Sequence, residues 1–184
     1  METEIEREVI VQTIHAMNRE DRPYRGVLYA GLMMTDDGPK ALEFNCRFGD
    51  PEMQPLAMRL KSDIVPILLA VTEQRLEECE IEWHEGAACC VVMASGGYPG
   101  KYEKGKPITG LDEAARLEDV VVFHAGTRLE GGQVLTNGGR VLGVTARGST
   151  IVEAQKRAYE AVEKIHFDGA HYRTDIGWRA LARP

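Results

Sequence analysis

No run of this chain is apolar for long enough to cross a bilayer, and its acidic N-terminus does not read as a secretion signal. Positive charge is scarce. Lysine and arginine number 22 against 29 acidic residues, for a net charge of −7, and they nowhere cluster densely enough to follow a phosphate backbone. Neither membrane spanning nor nucleic-acid binding is expected. A site for one nucleotide is still allowed, because it is local and usually includes a metal ion. The four cysteines, Cys46, Cys79, Cys89 and Cys90, lack the spacing of a zinc site. Cys89 and Cys90 are adjacent and would point to opposite faces of a strand. A reduced, cytoplasmic setting follows, with the thiols acting as small buried hydrophobes. His15, His84, His124, His166 and His171 are scattered, none with a partner at metal-ligand spacing. There is no defensible Ser/His/Asp or Cys/His nucleophile, no internal repeat and no low-complexity tract.

What is present is ordinary globular composition, 43% hydrophobic and 28% charged over 184 residues, enough for one large domain or two small ones. Residues 3–19 read as a helix with Thr3 as a cap. Ile5, Val9 and Ala16 lie on one side, and Ile10, Ile14 and Met17 form a second apolar line. Val27 to Met34 is apolar on both faces, which predicts a central, doubly covered strand. A turn at Asp36-Asp37-Gly38-Pro39 leads into a second strand over Lys40 to Arg47. Pro55 opens a short helix through Leu60. Ser62 caps another to about Arg75, with Pro66 tolerated in its first turn. Glu73 to Glu85 is highly charged and marks a domain boundary.

Beyond it, residues 87–95, 120–125, 133–136 and 140–146 read as strands between glycine-rich turns, with a tight hairpin at Thr136 to Arg140. Thr150 and Glu153 form a capping box for a helix to Ile165, with Ile151, Ala154, Ala158, Ala161 and Ile165 on its apolar face. Residues 166–184 are mostly irregular. The fold class is α+β.

The chemistry concentrates at residues 41–52. Alternation along the second strand places Leu42, Phe44 and Cys46 on one face and Glu43, Asn45 and Arg47 on the other. A carboxylate and an amide oxygen two residues apart supply part of a shell for magnesium, which keeps several waters and commonly shares substrate phosphates. An exposed strand face decorated with ordinary polar residues is the alternative. Arg47 has the planar fork to hold a phosphate or carboxylate, or a salt bridge to Asp50 or Glu52. Asp50 and Glu52 suit an amine, a second metal, or the cap of the turn and next helix. The run Ser95-Gly96-Gly97-Tyr98-Pro99-Gly100 lacks the Walker pattern and reads as a flexible loop.

Taken in order, these segments resemble a known family. The run Val27-Leu28-Tyr29-Ala30-Gly31-Leu32-Met33 is followed by Leu42-Glu43-Phe44-Asn45-Cys46-Arg47-Phe48-Gly49-Asp50-Pro51-Glu52-Met53-Gln54 and by Lys61-Ser62-Asp63. Then come Ser95-Gly96-Gly97-Tyr98-Pro99, Tyr102-Glu103-Lys104-Gly105, Thr136-Asn137-Gly138-Gly139-Arg140-Val141-Leu142 and Tyr172-Arg173-Thr174-Asp175-Ile176-Gly177. Together they closely resemble the phosphoribosylamine–glycine ligases (glycinamide ribonucleotide synthetases), ATP-grasp enzymes of purine biosynthesis. Met53 stands where the family motif usually has threonine.

The resemblance covers only the C-terminal part of the family protein. It implies the closing part of an ATP-grasp domain over residues 1–80 and the family's C-terminal domain over residues 81–184. It implies ATP, glycine and 5-phosphoribosylamine as substrates of the complete enzyme and glycinamide ribonucleotide as its product. Magnesium or manganese would serve as cofactor. By resemblance Glu43 and Asn45 are metal ligands, Arg47 steadies the transferred phosphoryl group or the glycine carboxylate, and Asp50 serves the amine side. Two rivals are another ATP-grasp carboxylate–amine ligase and a non-catalytic module of an assembly. The chain alone is expected to be inactive, to bind ATP weakly, and to self-associate through uncovered strand surfaces.

Overall fold

The structure, a computed structural model, describes residues 2–182, with side chains from residue 4 onward. The Thr3 side chain, expected as a cap, lies outside those described. The chain divides into two compact units. One holds the residues up to Asp50 together with Ser62–Ile81; the other holds Pro51–Lys61 and the residues from Glu82 on. Every strand pair is antiparallel, and the class is α+β.

In the first unit, α1 (Glu2–Ile5) runs through a π-helical stretch at Glu6–Ile10 into α2 (Val11–Arg19). The wide stretch carries the buried Val9. A hairpin follows, formed by β1 (Tyr29–Thr35) and β2 (Gly38–Asn45). The doubly covered strand expected at 27–34 is instead half open. Among the described residues only β2 pairs with it, and Met33 and Met34 are 52% and 45% exposed. The second strand ends at Asn45, two residues short of the expectation, because the chain bends at Cys46 and Arg47.

A bulge sets the faces of this hairpin. Gly31 pairs with Glu43, but Leu32 pairs with Ala41, so Leu42 is the extra residue. The register then puts Ala30, Leu32 and Met34 with Pro39, Ala41 and Phe44 on one face. Tyr29, Gly31 and Met33 share the other with Lys40, Glu43 and Asn45.

Helix α4 (Ile64–Glu73) is capped by Asp63, not by Ser62. The Asp63 carboxylate accepts the Val65 amide at 2.9 Å, whereas the Ser62 hydroxyl donates to the Glu80 carbonyl at 3.3 Å. The shorter, charged acceptor makes the stronger cap.

In the second unit, α3 (Met53–Arg59) starts two residues before Pro55. The main sheet has the order β4-β7-β3-β8, with β3 at Ala87–Ser95, β4 at Val120–His124, β7 at Arg140–Gly148 and β8 at Ala170–His171. Helix α6 (Ile151–Val162) covers one face. Ala154, Ala158 and Ala161 are fully buried, so the helix lies close to Val91, Met93, Leu142 and Val144. Small contact residues allow that approach, and burial of apolar area drives it. Helix α3 packs on β3 and β7, where Gln54 and the Cys90 thiol both lie near Gly143. This unit also has two short helices, α5 (Leu111–Ala115) and α7 (Trp178–Leu181).

A second hairpin, β5 (Thr127–Glu130) with β6 (Gln133–Thr136), was not expected. Its turn residues Gly131 and Gly132 both take left-handed φ, +57° and +79°, as a two-residue primed turn requires. The hairpin expected at Thr136 to Arg140 is absent. Strand β6 pairs with β5, and β7 pairs with β3 and β4. The connection instead lies against Gly126, whose amide donates to Arg140 O at 2.9 Å and whose carbonyl accepts Asn137 N at 2.7 Å.

All four cysteines are free. Cys89 is buried as expected, and burial pushes its thiol up to about 11. Cys46 is exposed, contrary to expectation, because it lies past the end of β2.

Candidate functional site

The site begins with the polar face of the first hairpin. Glu43 sits directly opposite Gly31 and Asn45 opposite Tyr29. The Asn45 amide donates to Glu43 Oε1 at 3.3 Å, so the two predicted metal ligands are adjacent. Glu43 is exposed and Asn45 half-buried. Gly31 was not singled out by sequence reasoning, yet it matters here. A Cβ at that position would lie 3.0 Å from Glu43 Cγ, closer than side chains normally approach. Its opposition to Glu43 follows from the register alone.

Arg47 does not continue this face. It lies in the bend after the strand, exposed, and its Nη1 donates to the Phe48 carbonyl at 2.8 Å. Asp50 is exposed at the end of the same loop. The structure therefore brings Glu43 and Asn45 together on one face and carries Arg47 and Asp50 on the segment that leaves it. The base of the hairpin is tied by Tyr24, whose hydroxyl donates to Val27 O at 2.8 Å. Burial first, then a hydrogen bond with Cys46, raises the Tyr24 pKa.

Among the described residues no group of three or more His, Cys, Asp and Glu is placed to hold a metal ion. A carboxylate beside an amide still fits a hard divalent cation whose other ligands are water and phosphate oxygens. It does not fit a closed structural site.

The second unit contains a charged cluster that has no sequence signal, because its members are far apart along the chain. Asp119 accepts from Arg147 at 2.7 Å and from Arg157 at 2.9 Å. Arg157 also donates to Glu153 at 2.6 Å. Glu153 in turn accepts from the Ser149 hydroxyl and amide at 2.7 and 2.8 Å. The expected capping box is thus shifted: Thr150 accepts from the Glu153 amide, but the glutamate reaches back to Ser149. The Arg147 guanidinium holds the Asp119 carboxyl below the usual carboxylate range, and the Ser149 hydroxyl does the same for Glu153. With His84 and Glu85 these groups line a cleft of about 430 Å³. Their charges satisfy one another, so the cluster ties β4, β7 and α6 together.

The Gly-rich segment 95–100 is folded as a turn. The Ser95 hydroxyl and amide donate to the carbonyls of Gly138 and Gly139, both at 2.8 Å. Tyr98 meets Tyr102 edge to face at 6.2 Å.

Residues 88–179, half of the chain, match the family model for the phosphoribosylglycinamide synthetase C domain, and residues 1–53 match that for the same enzyme's ATP-grasp (A) domain. The chain belongs to the phosphoribosylglycinamide synthetase family. A phosphoribosylamine–glycine ligase of Rhodopirellula baltica is 54% identical over 178 residues, 96% of this chain and 41% of that protein. One from Synechocystis is 52% identical over 97% of this chain and 43% of that protein. The crystal structure of the Thermotoga maritima phosphoribosylamine–glycine ligase superposes with a TM-score of 0.78 at 39% identity, covering 92% of this chain and 41% of that one. The biotin carboxylase domain of Hydrogenobacter thermophilus 2-oxoglutarate carboxylase shares the fold, at a TM-score of 0.58 and 15% identity, covering 91% of this chain and 37% of that one. The chain thus spans about two fifths of the length of these family relatives. No helix among the described residues is long and apolar enough to cross a membrane.

Proposed function

We propose that this chain is the C-terminal portion of a phosphoribosylamine–glycine ligase and contributes the metal-binding strand to its active site. Residues 1–80 would then close an ATP-grasp domain and residues 81–184 form the C-terminal domain. The observation that carries this reading is identity of about one half, sustained over 96% of the chain, with relatives of that name.

In the reaction, the γ-phosphoryl group of ATP passes to the carboxylate of glycine, and ADP leaves. The amine of 5-phosphoribosylamine attacks the acyl phosphate, phosphate departs with the C–O bonding pair, and the amine proton is lost to give glycinamide ribonucleotide. The first step is needed because a carboxylate offers an amine no leaving group. Glu43 and Asn45 would hold the divalent cation, magnesium or manganese. When bound, it neutralises charge on the phosphates during transfer. Arg47, in its bend, carries a planar fork that suits a phosphoryl or carboxylate oxygen. Asp50 is the candidate on the amine side.

The test uses the complete protein, made by joining the portion of the Rhodopirellula baltica relative that precedes the matched region ahead of residue 1. Glu43→Ala in that protein should lower kcat/KM on the order of 100-fold or more, about 2.7 kcal/mol of barrier, with unchanged melting. Near-normal turnover at limiting magnesium would remove Glu43 from the metal site. Replacing glycine by bicarbonate or another amino acid distinguishes this activity from that of a different carboxylate–amine ligase.

A further inference from the structure

The candidate metal ligand Asn45 is the last residue of β2, and it pairs with Tyr29, the first residue of β1. It therefore sits at the open end of the hairpin, away from the turn at Asp36 and Asp37. Strand ends open most easily, so a tie just beyond the last pair has a large effect there. Tyr24 supplies one. Its hydroxyl donates to Val27 O, two residues before β1, at 2.8 Å, and it is also hydrogen-bonded to Cys46, one residue past β2. A phenol has one proton and Val27 O takes it, so the Cys46 thiol donates to Tyr24 Oη. The run of hydrogen bonds, thiol to hydroxyl to carbonyl, crosses from one strand to the other outside the last pair. The local backbone brings the ring there. Gly26, between Tyr24 and Val27, has a φ of +135°, and a Cβ on it would meet nothing within 4 Å. That glycine is present for its backbone angle and not for space.

We propose that Tyr24 is a positioning residue: through the Cys46 thiol it fixes the end of β2, and with it Asn45, for a divalent cation bound together with nucleotide phosphates. The proposal rests on the reading of Glu43 and Asn45 as metal ligands. Cys46 lies between Asn45 and Arg47 in the chain, so holding Cys46 sets where the backbone of both neighbours lies. A magnesium-sized ion tolerates little error in ligand placement, and Asn45 is offered from the end of a single strand. Groups that orient a metal ligand without touching the metal act chiefly on cation affinity, so the effect belongs in the magnesium requirement and not in kcat.

The test uses the joined protein described above. Tyr24→Phe should raise the magnesium concentration for half-maximal rate about tenfold, with kcat within about threefold. Manganese binding in the presence of ADP, followed by electron paramagnetic resonance, should weaken in parallel. Cys46→Ala should reproduce the shift, Cys46→Ser, which keeps a donor, should restore most of it, and the Tyr24→Phe, Cys46→Ala double variant should be no worse than either alone. Amide exchange over residues 43–48, measured without metal or nucleotide in the joined protein and in this chain alone, should speed at least about fivefold in Tyr24→Phe. Tyr159→Phe is the control. Its hydroxyl donates to Arg173 O at 2.7 Å and accepts Ile176 N at 3.0 Å in the second unit, so its loss should lower melting without moving the magnesium requirement. Unchanged exchange over residues 43–48 would overturn the proposal, as would an unchanged magnesium requirement in a protein where Glu43→Ala raises it. An equal shift in Tyr159→Phe would reduce Tyr24 to a contributor to general stability. A magnesium requirement indifferent to Glu43→Ala would remove the metal reading itself, and the exchange result separates that failure from a failure of Tyr24 to hold the strand end.

Discussion

Gly31 leaves the room that the Glu43 side chain occupies. A methyl group there meets the Glu43 side chain at 3.0 Å, and because that side chain is exposed it has room to swing away. Gly31→Ala should therefore leave stability within about 1 kcal/mol, since alanine is the better strand residue. It should cost activity on the order of tenfold in the complete enzyme, about 1.4 kcal/mol. Equal loss of melting temperature and activity would instead mark Gly31 as structural. Asp119 makes the opposite kind of prediction, through stability. Its pKa is depressed in the fold, chiefly by the Arg147 hydrogen bond. The ion pairs therefore add stability at neutral pH, and that contribution declines as pH falls below the unfolded value near 4 and through the depressed folded value. Urea midpoints should be flat between about pH 5 and 7 and drop below about 4. Asp119→Asn should lower stability at pH 7 by about 1–3 kcal/mol and flatten that acid limb. An unchanged acid limb would show that other carboxylates carry it.

At the scale of elements, caps and turns decide what was legible. Thr150 was readable as a cap because a threonine precedes an apolar 3.6-residue pattern, and its hydroxyl does accept the Glu153 amide. Thr150→Ala should cost about 1 kcal/mol in urea unfolding and Thr150→Gly only a few tenths, because glycine leaves the end open to water. A larger loss for glycine would mean that packing, not capping, is the threonine's role. The core strands were visible as apolar runs; β3 was expected at 87–95 and lies at Ala87–Ser95. Strand β5 was not visible. Thr127-Arg128-Leu129-Glu130 buries little, with Leu129 74% exposed, so it leaves no hydrophobic signature. Its signal was the Gly131-Gly132 turn. The false hairpin at Thr136 to Arg140 has the same origin. Asn137-Gly138-Gly139 has hairpin chemistry, but long-range pairing of β7 with β3 and β4 outweighs the local preference. The Glu43 and Asn45 pair was legible because both lie on one strand, where period-two alternation is a local property. The turn-away of Arg47 and the Asp119 cluster were not, because a bend and a three-element junction are set by tertiary packing.

For the whole molecule, the decisive quantity is the surface left without cover. Leu42, Phe44, Val65 and Leu69 expose large apolar side chains. Exposed apolar groups associate when nothing else covers them. The chain alone should therefore sediment as a concentration-dependent mixture, and Phe44→Asp should shift it toward monomer. A monodisperse monomer at high concentration would show that these side chains are tolerated singly. The same uncovered state bears on chemistry. Phosphoryl transfer to a carboxylate depends on excluding water from the acyl phosphate and on fixed donors around the nucleotide. An exposed Glu43 beside a half-buried Asn45 offers two candidate cation ligands and no enclosure. ATP bound there would keep most of its hydration, and two ligands on one strand leave the phosphates free to move. Calorimetry of this chain with magnesium and ATP should consequently show weak binding or none, and assays with glycine and 5-phosphoribosylamine should show no turnover until the unmatched portion of a relative is joined to it. Tight, magnesium-dependent ATP binding by the chain alone would overturn this, because it would require the polar face of a single hairpin to hold a nucleotide without walls.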